Sequence, residues 1–567
     1  MLSDAAHVPG GFAEGVAFPR NESEVASLVV SAARVLPIGA QSSLTGGATP
    51  RGEVVLGTRA LSAIGSPSSG RVRVGAGVAL AELQRTLGAS NLYYPPVPTF
   101  DGAFVGGTIA TNAAGPATFK YGSTRQWVEA ITIVLASGAV LDLTRNETVA
   151  SPEGWFEIEH TTGQVVRVPV PQYAMPDVPK LSAGYFARPG MDLVDLFVGS
   201  EGTLGIVTGA TLKVIPRPRR CLALMLCDGD DQAIAVASAL REETFSAWKG
   251  LGLLDVAAIE YMDQHALRAV PDEAFSRAHV ARPPGQSVML LVQIEVGPDE
   301  EAALARLHSV LESAGVDDPY LAASGDERGA ERLFSLREAV PSSVNAIVAA
   351  AQAAYPQVEK TAGDMVVPFP RLADSIELYR AAFESRGLDY AIWGHVSDGN
   401  LHPNLVPRTF DDVQRGREVI LEIARGVVGM GGAPLAEHGV GRSALKQQLL
   451  RELYGEDGID QMRAVKRALD PEWKLAPGVL FSSRQWAVGS RYPDPRSPIP
   501  GLSDPGSRIP SPESTQLLKN ATNPRRRCQR STLDDTSNGE CMLRSPIPTS
   551  ITSMFCPANQ AAMVPPP

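Results

Sequence analysis

Val35-Leu-Pro-Ile-Gly-Ala-Gln-Ser-Ser-Leu-Thr-Gly-Gly47 is a short apolar run followed by a loop of small and hydroxylated residues. Small residues let backbone N–H groups approach an anion closely, and Ser and Thr add hydroxyl donors. The segment lacks the lysine of a P-loop and does not follow the G-x-G-x-x-G pattern. By itself it is as typical of a plain surface turn as of a pyrophosphate-binding loop.

Two more glycine-rich segments follow in the same half of the chain. The first is Gly102-Ala-Phe-Val-Gly-Gly-Thr-Ile-Ala-Thr-Asn-Ala-Ala-Gly115, preceded by Pro95-Pro-Val-Pro-Thr99. The second is Phe197-Val-Gly-Ser-Glu-Gly-Thr-Leu-Gly-Ile-Val207. Each could reflect tight packing alone. Together the three loops indicate a long ligand that lies against backbone with a phosphate in its middle.

Around these loops, short β-type runs alternate with helical patterns. Val72-Arg-Val-Gly75 and Ile131-Thr-Ile-Val-Leu135 are typical strands. Residues 23–33 have the spacing of an amphipathic helix, with Ser23 as the expected N-cap. We therefore expect a mixed domain of helices and strands over residues 1–218, closed by the Pro216-Arg-Pro218 break.

The remaining chain divides into a second domain and a tail. Glu300–Ser313 repeats apolar residues three and four apart, and Val288–Ile294 is a typical strand, so we expect a second α+β domain over residues 219–483. From Arg484 onward, Pro and Ser dominate and hydrophobic periodicity disappears. Residues 484–567 are therefore predicted to be a disordered tail, either a basic docking segment or an extension without a role.

Length and charge limit the class of protein. A chain of 567 residues is too long for one core, and its net charge of −11 argues against a nucleic-acid surface. No stretch approaches the roughly 18–20 apolar residues of a membrane span, and the first residues do not have the pattern of a signal peptide. We expect a cytoplasmic protein, and a peripheral contact at the inner membrane face stays open.

Three of the eight histidines lie close together in the second domain. His395 and His402 are separated by an Asp398-Gly399 turn signal, which favours two ligands on a hairpin over one helix face. Glu437, next to His438, could add a carboxylate, and two His with one Glu suit a divalent metal with open positions. The alternative is a set of polar turn residues with satisfied hydrogen bonds.

In this order, the three loops and Tyr121-Gly122 resemble the FAD-binding domain of the vanillyl-alcohol oxidase / p-cresol methylhydroxylase (PCMH) superfamily. The resemblance covers about residues 15–218 and continues to about residue 482. It implies an α+β fold: a PCMH-type FAD-binding domain of two α+β subdomains, then an α+β cap domain with an antiparallel sheet and helices.

The resemblance also implies how FAD binds. Residues 37–47 would surround the pyrophosphate, 98–115 the flavin and ribityl chain, and 201–206 the adenosine or pyrophosphate part. Some members link flavin through His or Cys, but the loop Gly39–Gly47 has neither, so we expect non-covalent FAD. The expected cofactor-binding residues are Pro37, Gly39, Gln41, Ser42, Ser43, Thr45, Gly46, Pro98, Thr99, Gly106, Gly107, Thr111, Asn112, Gly115, Glu201, Gly205 and Ile206.

The histidine segments resemble the G-H-x-G-D-G-N-L-H-x-N and E-H-G-x-G motifs of the D-lactate / D-2-hydroxyglutarate / glycolate dehydrogenase branch. In that branch two His and one Glu hold a zinc-type metal beside the flavin, and the matching positions are His395, His402 and Glu437. Ser397 stands where the motif has Gly, which puts the backbone turn in doubt. A second departure lies within residues 470–479, where Ala476 and Val479 replace the branch's Asn and Lys; we interpret this segment as packing.

The same resemblance assigns the catalytic residues. His438 matches the acid–base histidine and Asn404 the motif's asparagine. Arg337, in Leu336-Arg-Glu-Ala-Val-Pro341, matches the arginine that binds the substrate carboxylate, and guanidinium grips a carboxylate bidentately. Lys360 is a weaker second candidate for this role.

These assignments predict oxidation of a D-2-hydroxy acid of the lactate, glycolate or 2-hydroxyglutarate type to the 2-oxo acid. The substrate would chelate a divalent metal, zinc in that branch, and pass a hydride to flavin N5. A quinone, a cytochrome or an electron-transfer flavoprotein would reoxidise the flavin. A homodimer is a further expectation for the oligomeric state. The alternatives are an FAD-binding subunit of a glycolate-oxidising complex and an alkylglycerone-phosphate synthase-like transferase.

Overall fold

A computed structural model describes residues 2–159 and 165–481. Its first sheet along the chain is parallel and has three strands. Its order is β1-β3-β2, with β1 (Gly15–Ala17), β2 (Val35–Ile38) and β3 (Val54–Gly57). The predicted first helix is confirmed as α1 (Glu22–Ser31), but Ser23 is not its N-cap. Asn21 takes that position because its extended backbone lets the side chain accept from the Glu24 N–H.

A four-stranded antiparallel sheet follows, in the order β4-β10-β6-β7. Its strands are β4 (Arg71–Gly75), β6 (Val128–Val134), β7 (Val140–Thr144) and β10 (Ile206–Lys213). Two small strand pairs flank it: β5 (Leu92–Tyr93) with β11 (Ile215–Pro216), and β8 (Trp155–Glu159) with β9 (Val165–Pro169). The helices of this part are α2 (Leu80–Gly88), α3 (Val105–Ala110), α4 (Thr118–Tyr121), α5 (Thr124–Trp127) and α6 (Leu193–Phe197).

The second half is built on a seven-stranded antiparallel sheet in the order β15-β12-β14-β13-β17-β18-β16. Its strands are β12 (Arg219–Cys227), β13 (Asp255–Met262), β14 (Val288–Val296), β15 (Tyr320–Ala322), β16 (Met365–Val366), β17 (Tyr390–His395) and β18 (Asn400–Leu405). Its helices are α7 (Asp230–Trp248), α8 (Gln264–Ala269), α9 (Asp272–Ala278), α10 (Glu300–Ser313), α11 (Glu327–Ala354), α12 (Leu372–Glu384), α13 (Phe410–Gly429) and α14 (Ala444–Leu469). The expected α+β class with an antiparallel cap sheet is confirmed.

After α14 the chain returns to the first sheet. The Val35 N–H donates to Lys474 O and the Ala476 N–H donates to Val35 O, both at 2.8 Å, so this segment lies beside β2. Buried Lys466 stabilises the return through Asp470 and two backbone carbonyls. The division into residues 1–218 and 219–483 stays a prediction, and residues 484–567 lie outside the described residues. No helix in the described ranges is long and apolar enough to cross a membrane.

Candidate active site

The three glycine-rich loops converge on one cavity of about 300 Å³. Thirteen of the seventeen expected cofactor-binding residues line it: Pro37, Gly39, Gln41, Ser42, Ser43, Pro98, Thr99, Gly106, Gly107, Thr111, Glu201, Gly205 and Ile206. The other four, Thr45, Gly46, Asn112 and Gly115, do not line it. Glu437 and His438 also line the cavity, so the glycine-rich segments of the first half and the histidine motif of the second half share one space.

Several residues of the cavity wall are glycines or have an unusual backbone conformation. Gln41 and Glu201 have positive φ values of 56° and 51°, an uncommon conformation for residues with side chains. A Cβ added at Gly107 would meet nothing within 4 Å and would point into open space. A long, flat cofactor with a phosphate needs such close backbone approach, so the residues present fit FAD.

Beside the cavity, three imidazoles surround one carboxylate oxygen. The Nε2 atoms of His395, His402 and His438 lie 3.5, 3.3 and 3.4 Å from Oε1 of Glu437. The β17–β18 hairpin places the first two, with Gly399 at φ 78° in the turn, so the predicted hairpin is confirmed. Glu437 and His438 lie in the loop between α13 and α14.

Two carboxylates that the sequence did not indicate lie near the Nδ1 atoms of these imidazoles, although Nδ1 of His402 has no hydrogen-bond partner among the described residues. Glu260 on β13 lies 2.5 Å from Nδ1 of His395. Asp364 lies 3.2 Å from Nδ1 of His438 and 3.5 Å from Nδ1 of His402, and it accepts the backbone N–H groups of Glu437 and His438. Carboxylates at the far ring nitrogen are the usual partners of metal-binding histidines. Glu260 is the one acid in the otherwise apolar run 256–262 of β13, and this was the signal that could have found it.

The buried charges shift the ionisation of this cluster. Burial opposes the charged form of Glu260, but the positive charges of Arg337 and His395 outweigh it and lower the pKa of Glu260 to about 2. Burial also disfavours the imidazolium of His395, yet Glu260 raises the pKa of His395 to about 9. Lys180 and His395 together overcome burial and hold the pKa of Glu437 well below its usual value.

A buried lysine, Lys180, reaches the cluster from the loop between β9 and α6. Its side chain is fully buried, and its Nζ lies 3.0 Å from Oε2 of Glu437 and 3.1 Å from Oδ2 of Asp398. No spacing or motif in the sequence indicated this residue, because its partners lie more than two hundred residues away along the chain.

The donor set fits a divalent cation. Ligand atoms that share a first-row metal at about 2.0–2.2 Å lie roughly 3–3.5 Å apart, which matches the three distances around Oε1 of Glu437. A partly different set, Asp364, His402, Glu437 and His438, has one ligand atom from each residue within 4.8 Å of the others; it shares His402 and Glu437 with the predicted ligands but does not include His395. Imidazole nitrogen with one carboxylate is a set that zinc and related metals accept.

The other expected catalytic residues differ in how far they are buried. Arg337 on α11 is buried, and its Nε lies 2.7 Å from Glu260, so it is linked to His395 through that carboxylate. Asn404 on β18 is buried and donates to His402 O at 2.6 Å. Lys360 is exposed, with its Nζ 5.9 Å from the Trp393 ring.

Ser397 leaves the turn intact. Its side chain is buried and its Oγ accepts the backbone N–H of Ile259 at 3.2 Å, just after the register shift between Val256 and Ala258 in β13. Ser397 is not among the residues with positive φ, so the turn does not require glycine there. The doubt raised by this departure from the motif is therefore removed.

Sequence comparisons agree with this architecture. Residues 13–144 match the family described as "FAD binding domain", and residues 236–480 match "FAD linked oxidases, C-terminal domain". The glycolate oxidase subunit GlcD of Bacillus subtilis (strain 168) is 27% identical over 494 residues, covering 84% of this chain and 91% of that protein. A D-lactate dehydrogenase of Archaeoglobus fulgidus is 28% identical over 472 residues, covering 81% and 89%. A D-2-hydroxyglutarate dehydrogenase of Xanthomonas citri pv. viticola is 28% identical over 490 residues, covering 82% and 89%.

Solved structures agree on the fold alone. A structure of alkyldihydroxyacetonephosphate synthase aligns with a TM-score of 0.53 at 15% identity, covering 82% of this chain and 75% of that one. Both domain matches, the cavity and the relatives point the same way: FAD-linked oxidation of 2-hydroxy acids in general. The chain belongs to the FAD-linked oxidases and dehydrogenases of the vanillyl-alcohol oxidase / p-cresol methylhydroxylase superfamily.

Proposed function

We propose that this protein oxidises a D-2-hydroxy acid of the lactate, glycolate or 2-hydroxyglutarate type to the 2-oxo acid. It uses non-covalent FAD and a divalent metal held by His395, His402 and Glu437, and zinc is the metal we favour. The observation that carries the proposal is that residues of the three glycine-rich segments line the same cavity as Glu437 and His438. A substrate placed there meets both the flavin and the histidine cluster.

When bound, FAD supplies the hydride acceptor at N5 and the metal supplies a Lewis acid for the 2-hydroxyl. His438 takes the hydroxyl proton at Nε2, because Asp364 lies at Nδ1 and fixes the ring. General-base help of this kind contributes on the order of 10²–10⁴-fold.

Recognition of the substrate carboxylate is assigned to Arg337, with Lys360 as the second candidate. The Nε of Arg337 is engaged by Glu260 and one terminal nitrogen by Glu338. Among the described residues its other terminal nitrogen, Nη2, has no hydrogen-bond partner. That nitrogen is the donor we assign to the carboxylate.

The test is an anaerobic flavin-reduction screen. Purified protein should be yellow and should bleach with one member of a panel of D-2-hydroxy acids, and a chelator should slow the bleaching. If the whole panel leaves the flavin oxidised, the proposal is wrong; if bleaching is indifferent to chelator, the metal part is wrong.

His438→Ala tests the base. The variant should keep its flavin, because the glycine-rich segments that line the cavity are unchanged, and should lose most of its flavin reduction. The fall expected is about 10²–10⁴-fold. Flavin reduction at the wild-type rate would remove His438 from this role.

The electron acceptor is proposed to be a quinone, a cytochrome or an electron-transfer flavoprotein. A second reading, an FAD-binding subunit of a glycolate-oxidising complex, has the match to the GlcD subunit in its favour. It predicts slow turnover of the isolated protein and faster turnover once partner subunits are added. The transferase alternative predicts turnover without any electron acceptor.

A further inference from the structure

One short segment of the first half contacts both the second glycine-rich segment and the loop that carries Glu437. The carbonyl of Leu181 accepts from Nδ2 of Asn112, and Oγ of Ser182 donates to Thr111 O at 2.9 Å, so the segment is bound to the second glycine-rich loop. The Ser182 N–H donates to Leu435 O at 3.1 Å, two residues before Glu437.

Lys180 is the first residue of this segment, and its side chain contacts Glu437, one of the proposed metal ligands. Its ammonium is fully buried and touches Oε2 of Glu437, while Oε1 faces the three imidazoles. Burying an ammonium is costly, and here two carboxylates, Glu437 and Asp398, offset that cost.

We propose that Lys180 is a positioning residue that occupies Oε2 of Glu437, so that only Oε1 is presented to a divalent cation. The hydrogen bonds of Leu181 and Ser182 to the second glycine-rich segment fix where Lys180 lies. The inference rests on the metal part of the proposed function. A carboxylate with both oxygens free can rotate or bind a cation through both. With Oε2 held by Lys180, Glu437 keeps one orientation.

The experiment compares two charge-neutral double variants of the full, FAD-loaded protein. Lys180→Met/Asp398→Asn removes one buried cation and one buried anion next to the site, so the net charge near Glu437 is unchanged. The Zn²⁺ affinity, measured by competition with a chelator, should fall about 10- to 100-fold, the usual cost of losing a contact that orients a metal ligand.

Lys466→Met/Asp470→Asn is the matched control, because Lys466 and Asp470 form an equally buried pair with Nζ 2.5 Å from Oδ2. It should lower the thermal midpoint while leaving Zn²⁺ affinity within about twofold of wild type. An equal loss of affinity in both double variants would assign Lys180 a merely structural role and overturn the proposal.

Further outcomes separate this inference from the proposed function. Wild-type protein that binds no Zn²⁺ defeats the metal part of the proposed function, and this inference with it. Wild-type protein that binds Zn²⁺ with the same affinity as Lys180→Met/Asp398→Asn defeats only the role of Lys180. If that variant does not fold, a crystal structure of Zn²⁺-loaded wild-type protein decides: Glu437 bound through one oxygen with Lys180 on the other supports the proposal, and a two-oxygen contact overturns it.

Discussion

Glu260→Gln tests whether the buried acid on β13 supports both the fold and the chemistry. Glu260 is 4% exposed and lies 2.7 Å from Nε of Arg337 and 2.5 Å from Nδ1 of His395. Glutamine keeps the shape and removes the charge, which leaves the guanidinium with only the half-exposed Glu338. Removing one partner of a buried pair costs about 3–5 kcal/mol.

Such a loss is large enough to measure. For a domain of 150–250 residues, 1 kcal/mol corresponds to about 2–4 °C, so the thermal midpoint should fall by at least about 6 °C. Flavin reduction by the hydroxy acid should slow about 10- to 100-fold, because His395 loses the carboxylate that orients its ring. Thermal unfolding of the FAD-loaded protein and stopped-flow measurement of the loss of the oxidised-flavin absorbance measure the two effects.

Glu295→Gln is the matched control. Glu295 is 8% exposed and pairs with Lys120 at 2.6 Å and Arg220 at 3.1 Å, away from the histidines. It should lose stability to a similar extent and keep the flavin-reduction rate. If Glu260→Gln keeps the wild-type midpoint, or if Glu295→Gln slows reduction equally, the link from Glu260 to His395 is refuted.

Two further variants probe the cofactor cavity and the pH dependence of stability. Gly107→Ala should weaken FAD binding by about 1–3 kcal/mol because the new Cβ enters the cavity, without destabilising the FAD-free protein, since alanine suits helix α3; Gly285→Ala, also open at Cβ but outside the cavity, is its control in an FAD titration. Burial raises the pKa of Asp263 to about 7 although it accepts the N–H groups of Ala266 and Ile392. The folded protein therefore holds this proton more tightly than the unfolded chain, and the stability it contributes is complete below about pH 4 and is lost as pH rises through about 7. Asp263→Asn should flatten the profile of thermal midpoint against pH between about 4 and 7, and a profile parallel to that of the wild type would contradict this.

Sequence alone determined the parts of the site whose information is local. Segments rich in Gly, Ser and Thr allow close approach to the backbone, and most of their expected contact residues line the cavity, although the second segment contains helix α3. The Asp398-Gly399 turn brought His395 and His402 together because a hairpin register follows from its turn. The α10 helix was predicted with its observed bounds, since its apolar spacing repeats over several turns.

Only the tertiary structure decided what holds these groups in place. Glu260 lies opposite His395 in the β13–β17 register although 135 residues separate them, and Lys180 meets Glu437 across 257 residues. Such contacts leave no periodic or motif pattern, because each depends on how distant strands and loops pack. The sequence therefore predicted the histidines and Glu437 of the candidate site, whereas packing brought Glu260, Asp364 and Lys180 against them.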